Sequence, residues 1–356
     1  MKPLSEKYTD TEKYQQEIAA QYKERISKFA PEQVVDALGR LGIIISIDEL
    51  KEAAAGNVNA TYLTPDLAIK INQNNEHPDY IANKIVSDRL SDRYPVAKVV
   101  AYDYFHATPF ETLVMERAKG KMLLDDIFDL SPEEQTALFR RVLAIVQELH
   151  NIKFENFGWI NLGDKSFPTY AEYLKTEFAE HAKKIRKERL CPEEDLVEIE
   201  RYFYKHIGIF DQSEAVFVHT DLHMGNMIHQ RDKLTALIDF DWSLKAPKVA
   251  TLQSLLGFID NPSQFVEGTK DFPKYKGKSF YHLLPTLRSE LSDVFADPQL
   301  VRKLNLIGIS SGVMWVADNW SADWNKEMIH NLVTNEVAET DEALAQSYYG
   351  TVLSRT

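Results

Sequence analysis

Cysteine is nearly missing from this sequence, whose 356 residues contain only Cys191. A single thiol excludes an internal disulfide and a metal site built from several thiolates. No neighbouring pattern supplies the His and Asn that would make Cys191 a catalytic nucleophile. The shortage of cysteine favours a reducing compartment, and we expect a cytoplasmic protein.

Glycine and proline are also scarce. The chain has 14 of each, which together make up about 8% of the residues, against an average of ~12%. This shortage disfavours sandwiches of short strands joined by tight turns and favours helix. Long apolar runs are missing too, since no window reaches the ~18 uncharged apolar residues of a membrane span, and residues 1–7 lack the apolar core of a signal peptide. We therefore expect no membrane partner.

Positive charge is in deficit, with 41 Lys and Arg residues against 54 Asp and Glu residues and a net charge of −13. An acidic chain repels the phosphates of nucleic acids, so no nucleic-acid partner is expected, whereas a cationic small molecule is attracted. In other respects the composition is that of an ordinary globular protein, with 44% hydrophobic and 27% charged residues, and the length allows two domains.

The pattern of apolar residues changes along the chain. Residues 10–28 and a segment opened by Pro31 predict two helices, and strands are predicted over residues 43–47, 60–63, 67–71, 96–102 and 112–115. One helix, from residue 77 to about residue 93, interrupts these strands. Beyond residue 116 the pattern is mostly helical, with a capping box at Ser131. We predict an α+β fold with a helical extension (1–45), a small antiparallel sheet with one helix (46–116), and a large mainly helical part (117–356).

One polar loop, residues 219–226, lies between apolar segments. A buried strand is predicted over residues 215–218, and a hairpin over residues 227–238 follows the loop. Asp221 and Asn226 are five residues apart, which is the D-x-x-x-x-N spacing of a kinase catalytic loop. Asp239 follows Asn226 by 13 residues, so a hairpin can bring both side-chain oxygens to one metal site.

A lysine far upstream completes a set of groups with one chemistry. Lys70 lies in a predicted strand that follows the turn Gly56-Asn57. Phosphoryl transfer from ATP needs a carboxylate that accepts the proton of the attacking hydroxyl, oxygen ligands for Mg²⁺, and a lysine on the phosphates. Along the chain the lysine comes first, the loop with Asp221 and Asn226 comes next, and Asp239 comes last, which is the order found in kinases.

Residues 219–226 (HTDLHMGN) and 238–242 (IDFDW) together resemble the aminoglycoside phosphotransferase and choline kinase family. The resemblance covers roughly residues 46–256 and implies the bilobal fold of protein kinases. It also implies that Asp221 is the catalytic aspartate, that Asn226 and Asp239 bind Mg²⁺, and that Lys70 contacts the phosphates of ATP. His219 would orient the loop.

The same resemblance implies where the nucleotide binds. Gly56 and Asn57 would cover the phosphates, and the end of the sheet would be the hinge whose backbone meets the adenine. Because hinge contacts are made largely by the backbone, the side chains do not select between nucleotides, and GTP is kept as an alternative to ATP. The hinge residues would be Met115, Glu116, Arg117 and Ala118.

The resemblance further implies a small acceptor with a hydroxyl group. Members of the family phosphorylate amino-bearing compounds, so we expect a cationic acceptor of aminoglycoside type, with choline or another amino alcohol as the alternative. Trp315, Trp320 and Trp324 could surround an ammonium group, although aromatics at helical spacing more often form core. The candidate acceptor residues are Asp241, Trp320 and Asp323.

Three departures from the kinase pattern bear on function. Thr220 stands where protein kinases carry arginine, and no long activation segment follows the metal aspartate, so control by phosphorylation and protein substrates are not expected. The glycine turn has one glycine instead of three. Family spacing places Asn83 where a helix glutamate should pair with Lys70, which leaves Glu76 and Asp79 as candidate partners.

Two alternatives stay open. His219, Asp221 and His223 form an H-x-D-x-H trio that could bind zinc with Asp239 as a fourth ligand, as in a zinc hydrolase. The missing helix glutamate at Asn83 would also suit a nucleotide-binding pseudokinase. The presence of the lysine, the catalytic aspartate and both metal ligands favours an active kinase over either alternative.

Overall fold

The structure is a computed structural model that describes residues 15–16, 29–53, 60–72, 80–162, 165–318 and 322–355. Most of the helix predicted over residues 10–28 lies outside these ranges. The predicted functional or partner residues that also lie outside the described residues are Gly56, Asn57, Glu76, Asp79, Trp320 and the side chain of Asp323.

A five-stranded antiparallel sheet forms the first part of the fold. Its elements are α1 (Pro31–Arg40), β1 (Lys51–Glu52), β2 (Ala60–Leu63), β3 (Leu67–Asn72), α2 (Ile81–Leu90), β4 (Val99–Tyr104) and β5 (Glu111–Glu116). The strand order is β1-β2-β3-β5-β4. Lys70 therefore lies on the central strand, where it is paired with Thr61 on one side and Leu113 on the other.

One side of this sheet packs against α1. Pro31 begins the helix, and its fixed φ suits the first helical position. Val34 and Leu38, which are four residues apart and so share one helix face, are buried with Ile69 and Val114 in one apolar cluster. The helix from the predicted N-terminal extension thus shares the core of the sheet.

The strand predicted over residues 43–47 is wrong. Ile44 is 95% exposed, and residues Ile47–Glu49 form a 3₁₀ turn. The Ser46 hydroxyl accepts a hydrogen bond from the Asp48 amide, and the Glu49 carboxylate accepts one from the Ser46 amide. These local bonds replace the partners that a sheet would supply. The other four predicted strands are confirmed to within three residues of their predicted ends.

The rest of the chain is mainly helical. The predicted capping box at Ser131 is confirmed, because its hydroxyl accepts a hydrogen bond from the Glu134 amide while the Glu134 carboxylate accepts one from the Ser131 amide. None of the helices formed by the described residues has the length and apolar character needed to cross a lipid bilayer. The helices are α3 (Leu123–Asp126), α4 (Pro132–His150), α5 (Tyr170–Glu188), α6 (Glu193–His206), α7 (Thr251–Asp260), α8 (Phe272–Tyr275), α9 (Leu284–Glu290), α10 (Ser292–Phe295), α11 (Leu300–Ala317), α12 (Ala322–Asn335), α13 (Asp341–Gln346) and α14 (Tyr348–Ser354).

Short strands within the helical part form two further small sheets. They are β6 (Lys121–Met122), β7 (Lys153–Phe154), β8 (Gly158–Trp159), β9 (Ala215–His219), β10 (Met227–Gln230), β11 (Lys233–Leu237) and β12 (Ser243–Ala246). The strand orders are β7-β9-β12-β8 and β11-β10-β6. Buried β9 pairs with β12 so that His219 lies opposite Ser243. The polar loop that follows β9 and the segment that precedes β12 therefore lie side by side, and the predicted α+β class is confirmed.

Candidate active site

The candidate site lies where residues 220–226 face residues 238–242. The amide of Thr220 donates a hydrogen bond to the carbonyl of Trp242 at 3.3 Å, and the Thr220 hydroxyl donates to the same carbonyl. At the other end of the loop, the Ile238 amide donates to the Asn226 carbonyl at 3.0 Å. Both ends of the loop are thus fixed against the second segment.

Within the loop, Asn226 holds Asp221. Asn226 Nδ2 donates to the backbone carbonyl of Asp221 at 2.8 Å and to Asp221 Oδ2 at 3.0 Å. The Asp221 side chain is 36% exposed, so its carboxylate can be reached by a ligand. Partial burial raises the pKa of Asp221, but the neighbouring His223 ring and the hydrogen bond from Asn226 lower it by more, and the net pKa lies below the usual range. Asp221 is therefore ionised and able to accept a hydrogen bond from a hydroxyl.

Asn226 and Asp239 offer oxygen ligands for a metal ion. Both hydrogen bonds from Asn226 to Asp221 use Nδ2, which leaves Oδ1 to bind a cation. Asp239 has a left-handed φ of 65°, a conformation that is costly for a residue other than glycine and that clusters at functional sites. Its side chain is 35% exposed. A carboxylate and an amide oxygen are the donors that Mg²⁺ prefers, so these residues fit magnesium.

Lys70 reaches from the central strand to the second segment. Its Nζ lies 2.7 Å from Asp239 Oδ1 and 2.8 Å from Asp241 Oδ2. Asp241 Oδ1 accepts a hydrogen bond from Asn83 Nδ2 at 2.7 Å, and Asn83 Oδ1 accepts one from the Phe240 amide at 3.2 Å. We call Lys70, Asn83, Asp239 and Asp241 the lysine cluster.

The lysine cluster carries one positive and two potential negative charges. Burial lowers the pKa of Lys70, but the attraction of Asp239 and Asp241 outweighs it and leaves the pKa above its usual value. Burial also raises the pKa of Asp241, against the lowering effect of Lys70. The lysine therefore stays charged, and the excess of carboxylate over ammonium suits a bound cation.

The described contacts of Lys70 are with Asp239 and Asp241, whereas the predicted candidates Glu76 and Asp79 lie outside the described residues. Asn83 lies on α2 at the expected glutamate position, but it contacts Asp241 and not the lysine. Asp241, a predicted acceptor residue, is 2% exposed, and both of its carboxylate oxygens accept hydrogen bonds within the cluster. A second carboxylate two residues after Asp239, combined with the missing helix glutamate, is the sequence signal that could have identified this partner.

His219 is a buried residue behind the loop. Its ring packs against Phe240 at 4.8 Å between centroids, and its Nδ1 accepts a hydrogen bond from the Asp221 amide at 3.4 Å. Burial lowers the pKa of His219 to about 4. In the part of the chain that the structure describes, no three His, Cys, Asp or Glu side chains are arranged to hold a metal ion, so the zinc trio of the alternative interpretation is not assembled there.

His223 lies within the loop, next to Asp221. Its Nδ1 accepts a hydrogen bond from the Gly225 amide at 3.0 Å, and its Nε2 lies 3.5 Å from Asp221 Oδ1. A Cβ atom at Gly225 would lie 2.6 Å from the His223 ring, so glycine is what lets the ring fold back over the loop. The other face of the ring stacks on Phe265, with 4.7 Å between centroids.

Two of the four predicted hinge residues, Met115 and Glu116, end β5, and the other two follow it. Met115 is buried, the Glu116 amide donates to the Lys98 carbonyl, and the Arg117 amide donates to the Asp66 carbonyl. Among the described residues, no hydrogen bond occupies the amide of Ala118, which leaves this amide open to a base.

Two of the three tryptophans that could surround an ammonium group lie in the described part of the chain. Trp324 belongs to the apolar core, whereas Trp315 is exposed on α11. Gly56, Asn57, Trp320 and the side chain of Asp323 lie outside the described part, so their roles stay predictions.

Comparison with known proteins identifies the family. Residues 49–250 match the family described as "Phosphotransferase enzyme family". The chain belongs to this family. The loop and the lysine cluster described above both fall within the matched residues, so the candidate site of this phosphotransferase is a part of its family region.

Solved structures of aminoglycoside phosphotransferases share the fold of this phosphotransferase at low sequence identity. A thermostable mutant of APH(4)-Ia in complex with AMP-PNP and hygromycin B is 13% identical, with a TM-score of 0.56, over 80% of this chain and 92% of that one. The gentamicin complex of APH(2")-IIa is 18% identical, with a TM-score of 0.57, over 89% of this chain and 99% of that one. The streptomycin and ATP complex of APH(2")-IIa is 15% identical, with a TM-score of 0.55, over 92% and 99%. No curated protein matches the chain in sequence. The likeness confirms the predicted bilobal, protein-kinase-like fold.

Proposed function

We propose that this phosphotransferase transfers the γ-phosphoryl group of ATP, bound with Mg²⁺, to a hydroxyl group of a small cationic acceptor of aminoglycoside type. The observation that supports the proposal is the juxtaposition of the two segments. The accessible Asp221 is hydrogen-bonded to Asn226 in the loop, and the segment that lies against the loop carries the partly exposed carboxylate of Asp239. Those are the groups that phosphoryl transfer requires.

In the proposed reaction, the acceptor oxygen forms a bond to the γ-phosphorus while the bond from that phosphorus to the bridging oxygen of ADP breaks. The proton of the hydroxyl leaves towards Asp221. Because Asn226 holds Asp221 through two hydrogen bonds, the carboxylate is oriented before the acceptor arrives. Such positioning accounts for most of the rate in this class of reaction.

Residues on both sides of the site would hold the nucleotide. Lys70 would contact the phosphates, and the amide of Ala118 would donate to the base at the hinge. Asn226 Oδ1 and the Asp239 carboxylate would hold Mg²⁺, which neutralises charge on the phosphates when it is bound.

The charge of the protein supports a cationic acceptor. The net charge of −13 attracts cations, and this attraction weakens as salt rises. Proteins that share the fold were solved with hygromycin B, gentamicin and streptomycin, which supports an acceptor of the same kind. An amino alcohol such as choline is the smaller alternative.

The test is a panel of acceptors incubated with the protein, Mg²⁺ and either ATP or GTP. Aminoglycosides, aminocyclitols, choline and neutral sugars of matched size are compared by ADP or GDP release and by the mass of the phosphorylated product. We expect phosphorylation of an amine-bearing acceptor by the wild type and none above background by Asp221→Asn. Turnover of neutral or anionic acceptors alone would contradict the cationic acceptor, and failure to bind either nucleotide would contradict the proposed donor.

A further inference from the structure

The two carboxylates that contact Lys70 differ in exposure. Asp239 is 35% exposed and can reach a ligand, whereas Asp241 is 2% exposed and enclosed by the fold. Their distances to Lys70 Nζ are nearly equal, 2.7 and 2.8 Å. Equal contact with unequal exposure indicates different roles, because a group that no ligand reaches can act only through its neighbours.

Asn83 fixes the enclosed carboxylate from the helix side. Its Nδ2 donates to Asp241 Oδ1, and its Oδ1 accepts from the Phe240 amide, so the side chain is bound to the second segment at two points. Asn83 is itself buried. A neutral amide cannot pair with the lysine as an anion, but it can hold an anion that does.

We propose that Asp241 is the residue that positions Lys70, in place of the helix glutamate that protein kinases use for this purpose. In protein kinases the strand lysine must pair with a helix carboxylate for activity. In this protein the carboxylate that contacts the lysine lies on the segment that also carries Asp239. The helix α2 contributes Asn83, which holds this carboxylate by a hydrogen bond. This inference rests on the proposed role of Lys70 in nucleotide binding.

The arrangement follows from the charge balance of the cluster. A cation bound by Asp239 would compete with Lys70 for the negative charge of that carboxylate. A buried ammonium needs an anionic partner of its own, and Asp241 remains to supply it. Lys70 then keeps one N–H on Asp241 and has others to give to a phosphate, since an ammonium group carries three donors.

A double-mutant cycle tests whether Asp241 acts through Lys70. Four proteins are compared: wild type, Lys70→Met, Asp241→Asn and the double variant. Affinity for ATP is measured by calorimetry with Mg²⁺ and again with a chelator, and kcat and KM are measured for both substrates. We expect Asp241→Asn to lower ATP affinity by about tenfold in both conditions, with an unchanged KM for the acceptor. In the Lys70→Met background, Asp241→Asn should cause no further loss of ATP affinity.

Three outcomes would overturn the inference. A rise of the acceptor KM alone in Asp241→Asn would make Asp241 an acceptor residue. A loss of affinity confined to the Mg²⁺ condition would make it a metal ligand. Equal losses in the presence and absence of Lys70 would show that it does not act through the lysine. If the wild type binds no nucleotide at all, the proposed function fails before the cycle begins, so the two failures are distinguishable.

Two further variants keep the test valid if Asp241→Asn folds poorly. Asn83→Ala removes the anchor but not the carboxylate, so we expect a smaller loss of ATP affinity that also vanishes in the Lys70→Met background. Asn83→Glu combined with Asp241→Asn returns a carboxylate to the helix. We expect this combination to recover most of the ATP affinity that Asp241→Asn loses, and no recovery would count against a positioning role.

Discussion

Contacts within the polar loop, residues 219–226, join residues at most five positions apart. Contacts that bring the lysine cluster together join residues 157 to 171 positions apart. The loop is therefore a local structure that can be recognised by spacing in the sequence. The cluster exists only when the sheet, α2 and the segment before β12 have all reached their places.

The two regions also differ in what they expose. Asp221 in the loop is accessible, whereas Asp241 in the cluster is enclosed. An accessible group can act on a substrate directly, and an enclosed one can act only by holding another group. We therefore expect substitutions in the loop to affect turnover and substitutions in the cluster to affect nucleotide affinity and stability.

The largest expected effect is that of Asp221→Asn on turnover. Asparagine keeps an oxygen for the hydrogen bond from Asn226 but cannot accept the proton, so kcat should fall by about 10²–10⁴-fold. Nucleotide affinity and the free energy of unfolding should stay near the wild-type values. Initial rates at saturating substrates, together with calorimetry of ADP binding, provide the check. Wild-type turnover in this variant would remove Asp221 from the reaction.

Lys70→Met should lower the stability of the fold substantially. Without the ammonium, the enclosed carboxylate of Asp241 has only neutral partners among those described above, and breaking a buried ion pair on one side costs about 3 kcal/mol. Chemical denaturation measures the free energy of unfolding. The control is Lys70→Met with Asp241→Asn, in which no buried charge is left and most of the stability should return. Equal instability in both proteins would argue against the buried charge as the cause.

Asp239→Ala distinguishes the contribution of metal binding from that of direct nucleotide binding. Loss of this exposed carboxylate should weaken binding of Mg²⁺-ATP by about tenfold or more. Removing a residue that only hydrogen-bonds to a metal ligand already lowers metal affinity by about that factor, and removing a direct ligand should lower it at least as much. Affinity for ATP in the presence of a chelator should hold or rise, because one repulsive charge near the phosphates is gone. Equal losses with and without Mg²⁺ would contradict a metal-binding role.

A smaller effect is expected from His223→Ala, which removes the ring beside Asp221. The contact is comparable to one hydrogen bond, so kcat should fall about two- to tenfold while nucleotide affinity is retained. His223→Asn is the matched control, because a short amide can accept the hydrogen bond from the Gly225 amide but cannot reach Asp221. If the asparagine variant recovers full turnover, the ring serves only to cap the loop.

The same contrast explains how much could be predicted from the sequence. The spacing of Asp221 and Asn226 predicted a loop whose contacts are local, and the capping box predicted α4 from four neighbouring residues. The strand predicted over residues 43–47 is wrong because that prediction followed the apolar run and passed over Ser46 and Glu49, which form the same capping pattern as Ser131 and Glu134. Asp241 was not predicted as the partner of Lys70 because the two residues are 171 positions apart in the sequence. Local rules therefore identified the loop but not the partner of the lysine.

The smallest effect should come from Tyr80→Phe, next to the lysine cluster. The ring of Tyr80 lies 5.8 Å from Lys70 Nζ, while its hydroxyl is buried and makes no hydrogen bond with any described residue. Removing a buried polar group that has no partner is neutral or stabilising, so the free energy of unfolding should change by less than about 1 kcal/mol and the KM for ATP should not change. Tyr80→Ala is the control, since loss of the whole ring leaves a cavity and should cost about 3–5 kcal/mol. A marked rise of the KM for ATP in Tyr80→Phe would instead show that the hydroxyl binds the nucleotide, and the side of the cluster facing α2 would then contact substrate as directly as the loop does.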